Sequence, residues 1–260
     1  MADPMKIIVL GTSAAFSGKN DGCSSYFLSE NGKNYLIDTG PGCVSYLQNY
    51  ISYRDINGIF ISHLHADHVS DIYTLRYAIY TAQRDGYMKP SLPIYMPKSP
   101  KKTFKFIKDA IKKEFAITEI SESLNLKLDG MTVSFKKTDH PLDTYAMRFE
   151  CPAIKTGKGS LNKTVVYTAD TGYFDGLVSF SRNADILIAD ATLQSPDMEL
   201  ENLGHMTAEQ AGQLATEADA NKLILTHIWP EYDKNTSMGE AKRSFQKSVE
   251  IAKRGLEITL

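Results

Sequence analysis

Residues 61–68 read Ile61-Ser62-His63-Leu64-His65-Ala66-Asp67-His68, and three of the six histidines of the chain fall within this one segment. The apolar residues that precede the histidines are typical of a short buried strand. Because alternate residues of an extended chain face the same side, His63 and His65 can reach one point, and Asp67 and His68 can reach a second point after a turn. Neutral imidazoles and carboxylates are the preferred ligands of Zn²⁺ and similar ions, so the segment predicts metal binding.

Six residues cannot complete two metal sites, so further ligands must come from distant parts of the chain. The candidates beyond the segment are His140, Asp170, His205 and His227. Three of them, His140, Asp170 and His227, lie just after predicted strands. Because α/β sheets collect their functional groups at the carboxyl ends of strands, we expect these side chains to meet the histidine segment.

The remaining pattern is typical of a layered α/β protein. Predicted strands cover Lys6–Leu10, Tyr26–Ser29, Tyr35–Ile37, Ile59–Ser62, Ile94–Met96, Leu124–Leu128, Thr132–Lys136, Tyr145–Phe149, Thr164–Thr168, Ile186–Ala189 and, as the last, Leu223–Leu225. Predicted helices cover Gly42–Tyr50, Val69–Tyr80, Thr103–Phe115, Thr207–Ala218 and about Gly239–Lys253. Thr207 and Gln210 have the spacing of a helix capping box.

Composition narrows the class of protein. Of the 260 residues, 42% are hydrophobic, which excludes a disordered chain. The 29 Lys+Arg and 31 Asp+Glu give a net charge of −2, which argues against a strongly basic nucleic-acid-binding protein. Cys23, Cys43 and Cys151 form no CxxC motif and fit a reducing compartment. No opening apolar run is long enough for a signal peptide or membrane span, so we expect a cytoplasmic protein without a membrane segment.

No linker-like or low-complexity stretch divides the chain. We therefore expect a single domain over residues 5–260. Residues 1–4 are interpreted as a remnant added ahead of the natural start, because a strand begins directly after Met5.

The motif His63-x-His65-x-Asp67-His68, followed by His140, Asp170 and His227, resembles the signature of the metallo-β-lactamase superfamily. The resemblance implies a four-layer αβ/βα sandwich with two divalent ions, zinc in preference to manganese, at the edge of two facing sheets. The implied ligands are His63, His65 and His140 for one ion and Asp67, His68 and His227 for the other, with Asp170 bridging the two. Asp38, in an Asp-Thr-Gly at a strand end, matches the aspartate that orients a ligand from behind.

The segment Gly204-His205-Met206-Thr207 is similar to the ribonuclease Z-like branch of that family. The resemblance implies a phosphodiesterase in which a metal-bridging hydroxide attacks phosphorus and His205 acts as the general acid, while Asp67 also helps to orient the nucleophile. The implied substrate is a phosphodiester, an RNA or a small nucleotide, and relatives suggest a homodimer.

One departure from that branch concerns the arm that grips tRNA. Only 29 residues lie between His140 and Asp170, and a short basic loop, Ile154–Lys163, stands where bacterial ribonuclease Z has a long Gly/Pro-rich arm. The chain is therefore interpreted as an arm-less relative that acts on a smaller or differently held phosphodiester.

Other readings stay open at this stage. The same ligands would serve a hydrolase of a carbonyl substrate, such as a lactone, thioester or β-lactam, because a bridging hydroxide attacks carbon equally well. A non-catalytic metal-binding scaffold is a further alternative. Asp38 and Asp170, each in an Asp-Thr-Gly, would form the catalytic pair of an aspartic protease.

Two surface features also have two readings each. The segment Lys98–Glu114 carries seven lysines, and it is either a solvated helix face or a patch that tracks the phosphates of a nucleic acid. The buried stripe of its helix is predicted to be Phe104, Ile107 and Ile111. The dipeptide Trp229-Pro230 follows His227 closely, and it either forms a wall of the site or packs in the ordinary way.

Overall fold

The computed structural model describes residues 4–152, 162–199 and 203–260. Apart from Pro4, the predicted remnant at 1–4 lies outside these residues. The predicted basic loop Ile154–Lys163 lies outside them as well, except for its last two residues.

Fourteen strands form two mixed sheets in the described part of the chain. They are β1 Lys6–Gly11, β2 Ser25–Glu30, β3 Lys33–Ile37, β4 Gly58–Phe60, β5 Leu92–Met96, β6 Phe115–Glu119, β7 Asn125–Leu128, β8 Met131–Lys137, β9 Tyr145–Cys151, β10 Lys163–Tyr167, β11 Ile186–Asp190, β12 Lys222–Thr226, β13 Ser248–Ile251 and β14 Glu257–Thr259. The strand order is β14-β1-β2-β3-β4-β5-β6 in the first sheet and β13-β12-β11-β10-β9-β8-β7 in the second.

Helices cover the outer faces of the two sheets. They are α1 Cys43–Leu47, α2 Ala66–Val69, α3 Ile72–Arg84, α4 Lys101–Ile111, α5 Asp175–Ser181, α6 Ala208–Glu217 and α7 Lys234–Ser244, and 3₁₀ turns lie at Tyr53–Asp55 and Ser195–Glu199. The predicted capping box of α6 is confirmed, because the Thr207 hydroxyl accepts from the Gln210 backbone N–H and the Gln210 side chain accepts from the Thr207 backbone N–H.

Three apolar clusters hold the layers together. The central one lies between the sheets, where residues such as Val9 and Tyr26 of the first sheet meet Phe149 and Val165 of the second. A second cluster joins the outer face of the first sheet to α1, α3 and α4, and a third joins the second sheet to α5, α6 and α7. Burial of the small apolar faces of strands and helices is what drives such layering. The predicted four-layer αβ/βα sandwich is confirmed.

Parallel strands bring their carboxyl ends to one edge of each sheet. In the first sheet, β3 pairs parallel with β4, and in the second, β10 pairs parallel with β11 and β11 with β12. β8 runs in the same direction as β10, because each pairs antiparallel with β9. The segments that follow β3, β4, β8, β10, β11 and β12 therefore all emerge on the same side of their sheets, which positions the site described below.

The predicted C-terminal helix to about Lys253 is wrong. The helix α7 ends at Ser244, and the chain continues as β13 and β14, so Leu223–Leu225 is not the last strand. β13 pairs parallel with β12 at the edge of the second sheet. After a turn at Gly255, which has φ +86°, β14 pairs with β1 in the first sheet. The open edges of two sheets thus decide the conformation of a segment whose local pattern is ambiguous.

Smaller differences concern the extent and number of the helices; for example, the predicted helix Gly42–Tyr50 is α1 Cys43–Leu47. The predicted helix Thr103–Phe115 ends at Ile111, and Phe115 begins the edge strand β6. The predicted helix Val69–Tyr80 corresponds to α3, which begins later, at Ile72, and extends to Arg84, whereas Val69 is the last residue of α2. The helices α2 and α5 were not predicted. Among the described residues, no helix is both long and apolar enough to cross a membrane.

Candidate metal centre

The first three predicted ligands meet through their ring nitrogens. His63 follows β4, His65 lies just before α2, and His140 follows β8. His65 Nδ1 lies 3.0 Å from His63 Nε2 and 3.3 Å from His140 Nε2. These three histidines and Asp170 offer ligand atoms that all lie within 4.8 Å of one another.

The second predicted group meets beside the first. Asp67 and His68 lie in α2, and His227 follows β12 with φ +55°. His227 Nε2 lies 3.3 Å from His68 Nε2 and 3.2 Å from Asp67 Oδ2. Asp170 lies between the groups, with Oδ2 3.4 Å from His63 Nε2 and Oδ1 3.3 Å from His68 Nε2.

These spacings fit cations. Tetrahedral zinc with bonds of about 2.0–2.1 Å separates neighbouring ligand atoms by about 3.3 Å. The distances given above are 3.0–3.4 Å, and the remaining pair of the second group, His68 Nε2 and Asp67 Oδ2, is 3.6 Å apart. In addition, Asp170 Oδ1 is buried and accepts no hydrogen bond from the described residues. A buried carboxylate oxygen without a donor is costly, and a divalent ion removes that cost.

The opposite nitrogens of four histidines fix which nitrogen faces the centre. His63 Nδ1 lies 3.0 Å from Ser62 Oγ, His68 Nδ1 2.8 Å from Asp38 Oδ2, His140 Nδ1 2.8 Å from the Gly204 carbonyl oxygen and His227 Nδ1 2.8 Å from Thr192 Oγ1. If each Nδ1 carries the proton, every Nε2 presents a lone pair to the centre. Lone pairs that face one another at 3.3 Å repel unless a cation lies between them.

Charge at the centre also favours cations. Burial would raise the pKa of Asp67, but without an ion the contact with His227 Nε2 and then the charge of His68 outweigh burial and hold that pKa below its usual range. Burial would likewise raise the pKa of Asp170, but the surrounding histidines, His227 first, hold it well below its usual range. Burial lowers the pKa of His63, and a neutral imidazole is the form that binds metal. Burial would lower the pKa of His68 as well, but without an ion the Asp170 and Asp38 carboxylates outweigh burial and raise it well above its usual value.

Asp38 lies behind the ligands. Its carboxylate is fully buried and accepts hydrogen bonds from the Ser62 backbone and hydroxyl and from the Tyr167 hydroxyl, in addition to His68 Nδ1. The His68 ring therefore separates Asp38 from Asp170, which contacts His68 through Nε2. Two carboxylates separated by an imidazole cannot share one proton, so the structure contradicts the aspartic-protease alternative.

The sixth histidine, His205, lies beside the two groups and is held by Asp190. His205 Nδ1 lies 2.8 Å from Asp190 Oδ2, and Asp190 is the last residue of β11. Burial alone would lower the pKa of His205, but the Asp190 carboxylate outweighs burial and raises it to about 9. This contact leaves the other ring nitrogen, Nε2, for a group in the adjoining cavity.

Asp190 is already saturated with hydrogen bonds. Its Oδ1 accepts from the backbone and the hydroxyl of Thr192, and its Oδ2 accepts from the Thr171 backbone and from His205. Asp170, Asp190, His205 and His227 also lie close enough to hold an ion. Since Asp190 has no free lone pair, this third grouping is a much poorer metal site than the other two.

Sequence reasoning missed Asp190 and Thr192. Thr192 Oγ1 lies 2.8 Å from His227 Nδ1 and 2.6 Å from Asp190 Oδ1, so it links the aspartate to a predicted ligand. Asp190 directly follows the predicted strand Ile186–Ala189, and the strand-end rule that found Asp170 would have found it. No sequence signal distinguishes Thr192.

A cavity of about 520 Å³ opens onto the two groups. His65, Asp67, Asp170, His205 and His227 line its floor. Its walls are formed by Ala14, Ala15, Ala66, Thr192, Leu193, Leu203, Trp229 and Tyr232. The Ala15 backbone N–H donates to Asp67 Oδ2 at 3.0 Å, which ties this wall to the floor.

The lysine-rich segment lies on the outer face of the first sheet. All seven lysines are exposed, and Lys98, Lys105 and Lys112 pair with acidic residues. Ile107 and Ile111 are buried as predicted, while Phe104 is half-buried. Lys98, Lys108 and Lys112 line a separate hollow of about 340 Å³ that contains none of the predicted ligands.

The sequence is similar to those of proteins named as a metallo-hydrolase or a ribonuclease. A sequence model of the β-lactamase superfamily domain matches residues 33–228. The probable metallo-hydrolase YhfI of Bacillus subtilis is 33% identical over 252 residues, covering 96% of this chain and 98% of YhfI. The ribonuclease Z of Archaeoglobus fulgidus is 28% identical over 293 residues, covering 94% of each chain.

Solved structures give the same result. The crystal structure of YhfI from Bacillus subtilis, described as a metallo-β-lactamase fold protein, matches with a TM-score of 0.89 at 32% identity, covering 99% of this chain and all of YhfI. The short form of human tRNase Z shares the fold, with a TM-score of 0.74 at 22% identity, covering 97% and 98% of the two chains. The chain therefore belongs to the metallo-β-lactamase superfamily.

Proposed function

We propose that the protein is a binuclear metal-dependent phosphodiesterase in which His205 protonates the leaving group. The observation that carries this proposal is the position of His205, which faces the cavity beside two complete ligand groups while Asp190 holds its Nδ1. A positioned proton donor matters most when the leaving group is a poor one, as the alkoxide of a phosphodiester is. The similarity to a protein named ribonuclease Z supports the same reaction class.

The proposed ligands follow from the convergence of nitrogen and carboxylate atoms. One ion would be held by His63, His65 and His140 and the other by Asp67, His68 and His227, with one oxygen of Asp170 directed to each. Zinc suits this mixture of imidazole and carboxylate ligands best. Bound there, two divalent ions would supply an activated water as nucleophile and would neutralise the negative charge on the phosphate oxygens in the transition state.

The residues of the chain then have separate tasks. Asp67 receives a hydrogen bond from the Ala15 backbone, which fixes its carboxylate at the floor of the cavity and lets it orient the attacking water. His205 holds a proton on Nε2 because Asp190 stabilises the imidazolium. That proton passes to the departing oxygen. Apolar residues, including Ala14 and Leu193, line the cavity in which this transfer takes place.

The experiment compares three substrates on zinc-loaded protein: bis(4-nitrophenyl) phosphate, an aliphatic lactone and a chromogenic cephalosporin. We expect kcat/KM for the phosphodiester to exceed the other two by at least about a hundredfold. We also expect a chelator to abolish the activity and added Zn²⁺ to restore it. A preference for the lactone or the cephalosporin would overturn the proposal and favour hydrolysis of a carbonyl substrate instead.

Metal content is measured on the same preparations. We expect up to two ions per chain from elemental analysis of the protein before chelation. Less than half an ion per chain, without activation by added Zn²⁺ or Mn²⁺, would overturn the binuclear part of the proposal and favour a scaffold role.

A further inference from the structure

One wall of the cavity beside the metal centre is aromatic. Trp229 lines this wall two residues after His227, and Tyr232 lines it one turn later. Phe16, whose side chain is 45% exposed, packs against Trp229 with ring centroids 5.3 Å apart at an angle of 85°. In this edge-to-face arrangement Phe16 covers at most one face of the indole, so at least one face remains for another ring.

The indole makes one side-chain hydrogen bond, and the backbone that carries it is anchored to a neighbouring segment. Its Nε1 donates to Glu231 Oε2 at 3.3 Å. The preceding residue, Ile228, forms a β-bridge with Ser13, and its carbonyl oxygen accepts from the Ala14 backbone. A half-buried aromatic ring that is fixed in this way loses little conformational entropy when a ligand stacks on it. The wall is thus a preorganised surface rather than a mobile side chain.

The charged residues that line the cavity limit the number of phosphate groups on the ligand. In the ranges that the structure describes, none of the residues lining the cavity is Lys or Arg. Among these described lining residues, a second or third phosphate would therefore find no guanidinium or ammonium group, and the cationic His205 lies directly beside the metal centre. The volume of about 520 Å³ lies within the range of small-molecule sites, which is about 300–1,000 Å³.

We propose that Trp229, supported by Phe16, stacks on the nucleobase of a nucleotide substrate with a single phosphate, whose phosphodiester lies at the metal centre. This inference rests on the proposed phosphodiesterase function and names its substrate class. Bases stack on aromatic side chains irrespective of their sequence, because every base has a π-face. The wall selects a nucleoside phosphodiester over an alkyl one without reading the identity of the base.

Trp229 is the only tryptophan of the chain, so its fluorescence reports on stacking directly. Zinc-loaded protein is titrated with adenosine 5′-monophosphate and, as the matched control, with ribose 5-phosphate, which has the same phosphate but no base. We expect the nucleotide to quench the fluorescence and the sugar phosphate to leave it unchanged. Equal responses to both compounds, or no response to the nucleotide, would overturn the inference.

A second readout measures affinity as inhibition of methyl 4-nitrophenyl phosphate hydrolysis. If the base stacks on Trp229, the half-maximal inhibitory concentration of the nucleotide should be at least about tenfold lower than that of the sugar phosphate. Trp229→Leu should remove this difference, Trp229→Phe should retain most of it, and Tyr77→Leu, which removes an exposed ring from α3, should leave it intact. An unchanged difference in Trp229→Leu would contradict the inference.

The two proposals fail in different ways. If no phosphodiester is hydrolysed, the phosphodiesterase function fails, whereas the fluorescence titration still tests whether the wall binds a base. If phosphodiesters are hydrolysed but the nucleotide and the sugar phosphate bind equally, the reaction class stands and the nucleotide substrate is excluded.

Discussion

The hydroxyl of Thr192 lies 2.8 Å from Nδ1 of His227 and gives this candidate ligand its orientation. The same hydroxyl lies 2.6 Å from Asp190 Oδ1, so it accepts the imidazole N–H and donates its own proton to the carboxylate. His227 then presents the lone pair of Nε2 to the metal centre. Asp190 thereby supports two neighbouring histidines, His205 directly and His227 through Thr192.

Thr192→Val tests this support. Valine preserves the shape of threonine but leaves His227 Nδ1 without an acceptor, so we expect metal affinity to fall by about 10–100-fold. Competition with a chromogenic chelator measures the affinity. Thr226→Val is the matched control, because the Thr226 hydroxyl is also buried and is hydrogen-bonded to the Tyr26 hydroxyl but to no predicted ligand. Equal losses of metal affinity in both variants would show that Thr192 has no specific role.

Asp190→Asn tests the partner of His205. Asp190 Oδ2 accepts hydrogen bonds from the Thr171 backbone and from His205 Nδ1, and an amide nitrogen in its place accepts neither. The substitution also removes the negative charge that raises the pKa of His205. We expect kcat on an alkyl phosphodiester to fall by about 10–100-fold or more, with at least one ion per chain retained. Because Asp190 acts on the proton transfer through His205, the same substitution should cost little further kcat in a His205→Ala background when both variants are saturated with Zn²⁺, which removes any effect through Thr192 and His227.

Asp185→Asn is the control for that series. Asp185 lies just before the other end of β11, where its carboxylate accepts from the Thr164 backbone, far along the strand from the site. We expect its kcat to stay within about twofold of the unaltered protein. Additive losses in the Asp190→Asn/His205→Ala double variant would contradict the proposed coupling.

Two glycines in neighbouring helices test the packing of the second sheet's outer layer. A Cβ at Gly212 of α6 would lie 2.4 Å from the Ala241 carbonyl oxygen of α7, whereas a Cβ at Gly239 of α7 meets nothing within 4 Å. Alanine improves helix propensity at both positions. Urea denaturation should therefore show Gly239→Ala raising the free energy of unfolding by up to about 1 kcal/mol and Gly212→Ala lowering it by about 1–3 kcal/mol. Equal effects would mean that the helices are not in contact at Gly212.

Much of the candidate site could be predicted because its signals are local or follow one rule. The histidine segment places four predicted ligands within six residues, and the strand-end rule finds Asp170 and His227. Thr192 could not be found in this way, because a threonine is common in every structural context. Its importance comes from the approach of His227, which lies 35 residues later in the chain.

The secondary structure was predicted well where the apolar runs are unambiguous. It was predicted poorly where pairing with a neighbouring strand decides whether a segment is extended or helical. The C-terminal segment contains Val249 and Ile251 at a spacing of two, but also helix-forming residues before them, and only the free edge of β12 makes it a strand. Likewise Phe115–Glu119 becomes β6 because β5 offers it a partner. Long-range pairing of this kind leaves no trace in a short window of sequence.

The measurement that tests the central claim most directly is the effect of His205→Ala on two phosphodiesters that differ only in leaving group. A proton donor is needed for an alkoxide and hardly at all for a nitrophenolate. We predict that kcat falls by about 10²–10⁴-fold for the alkyl leaving group and by less than about tenfold for the nitrophenyl one, with metal content unchanged, whereas Asp170→Ala loses metal and both activities. Equal losses for the two substrates, or loss of metal from His205→Ala, would contradict the account.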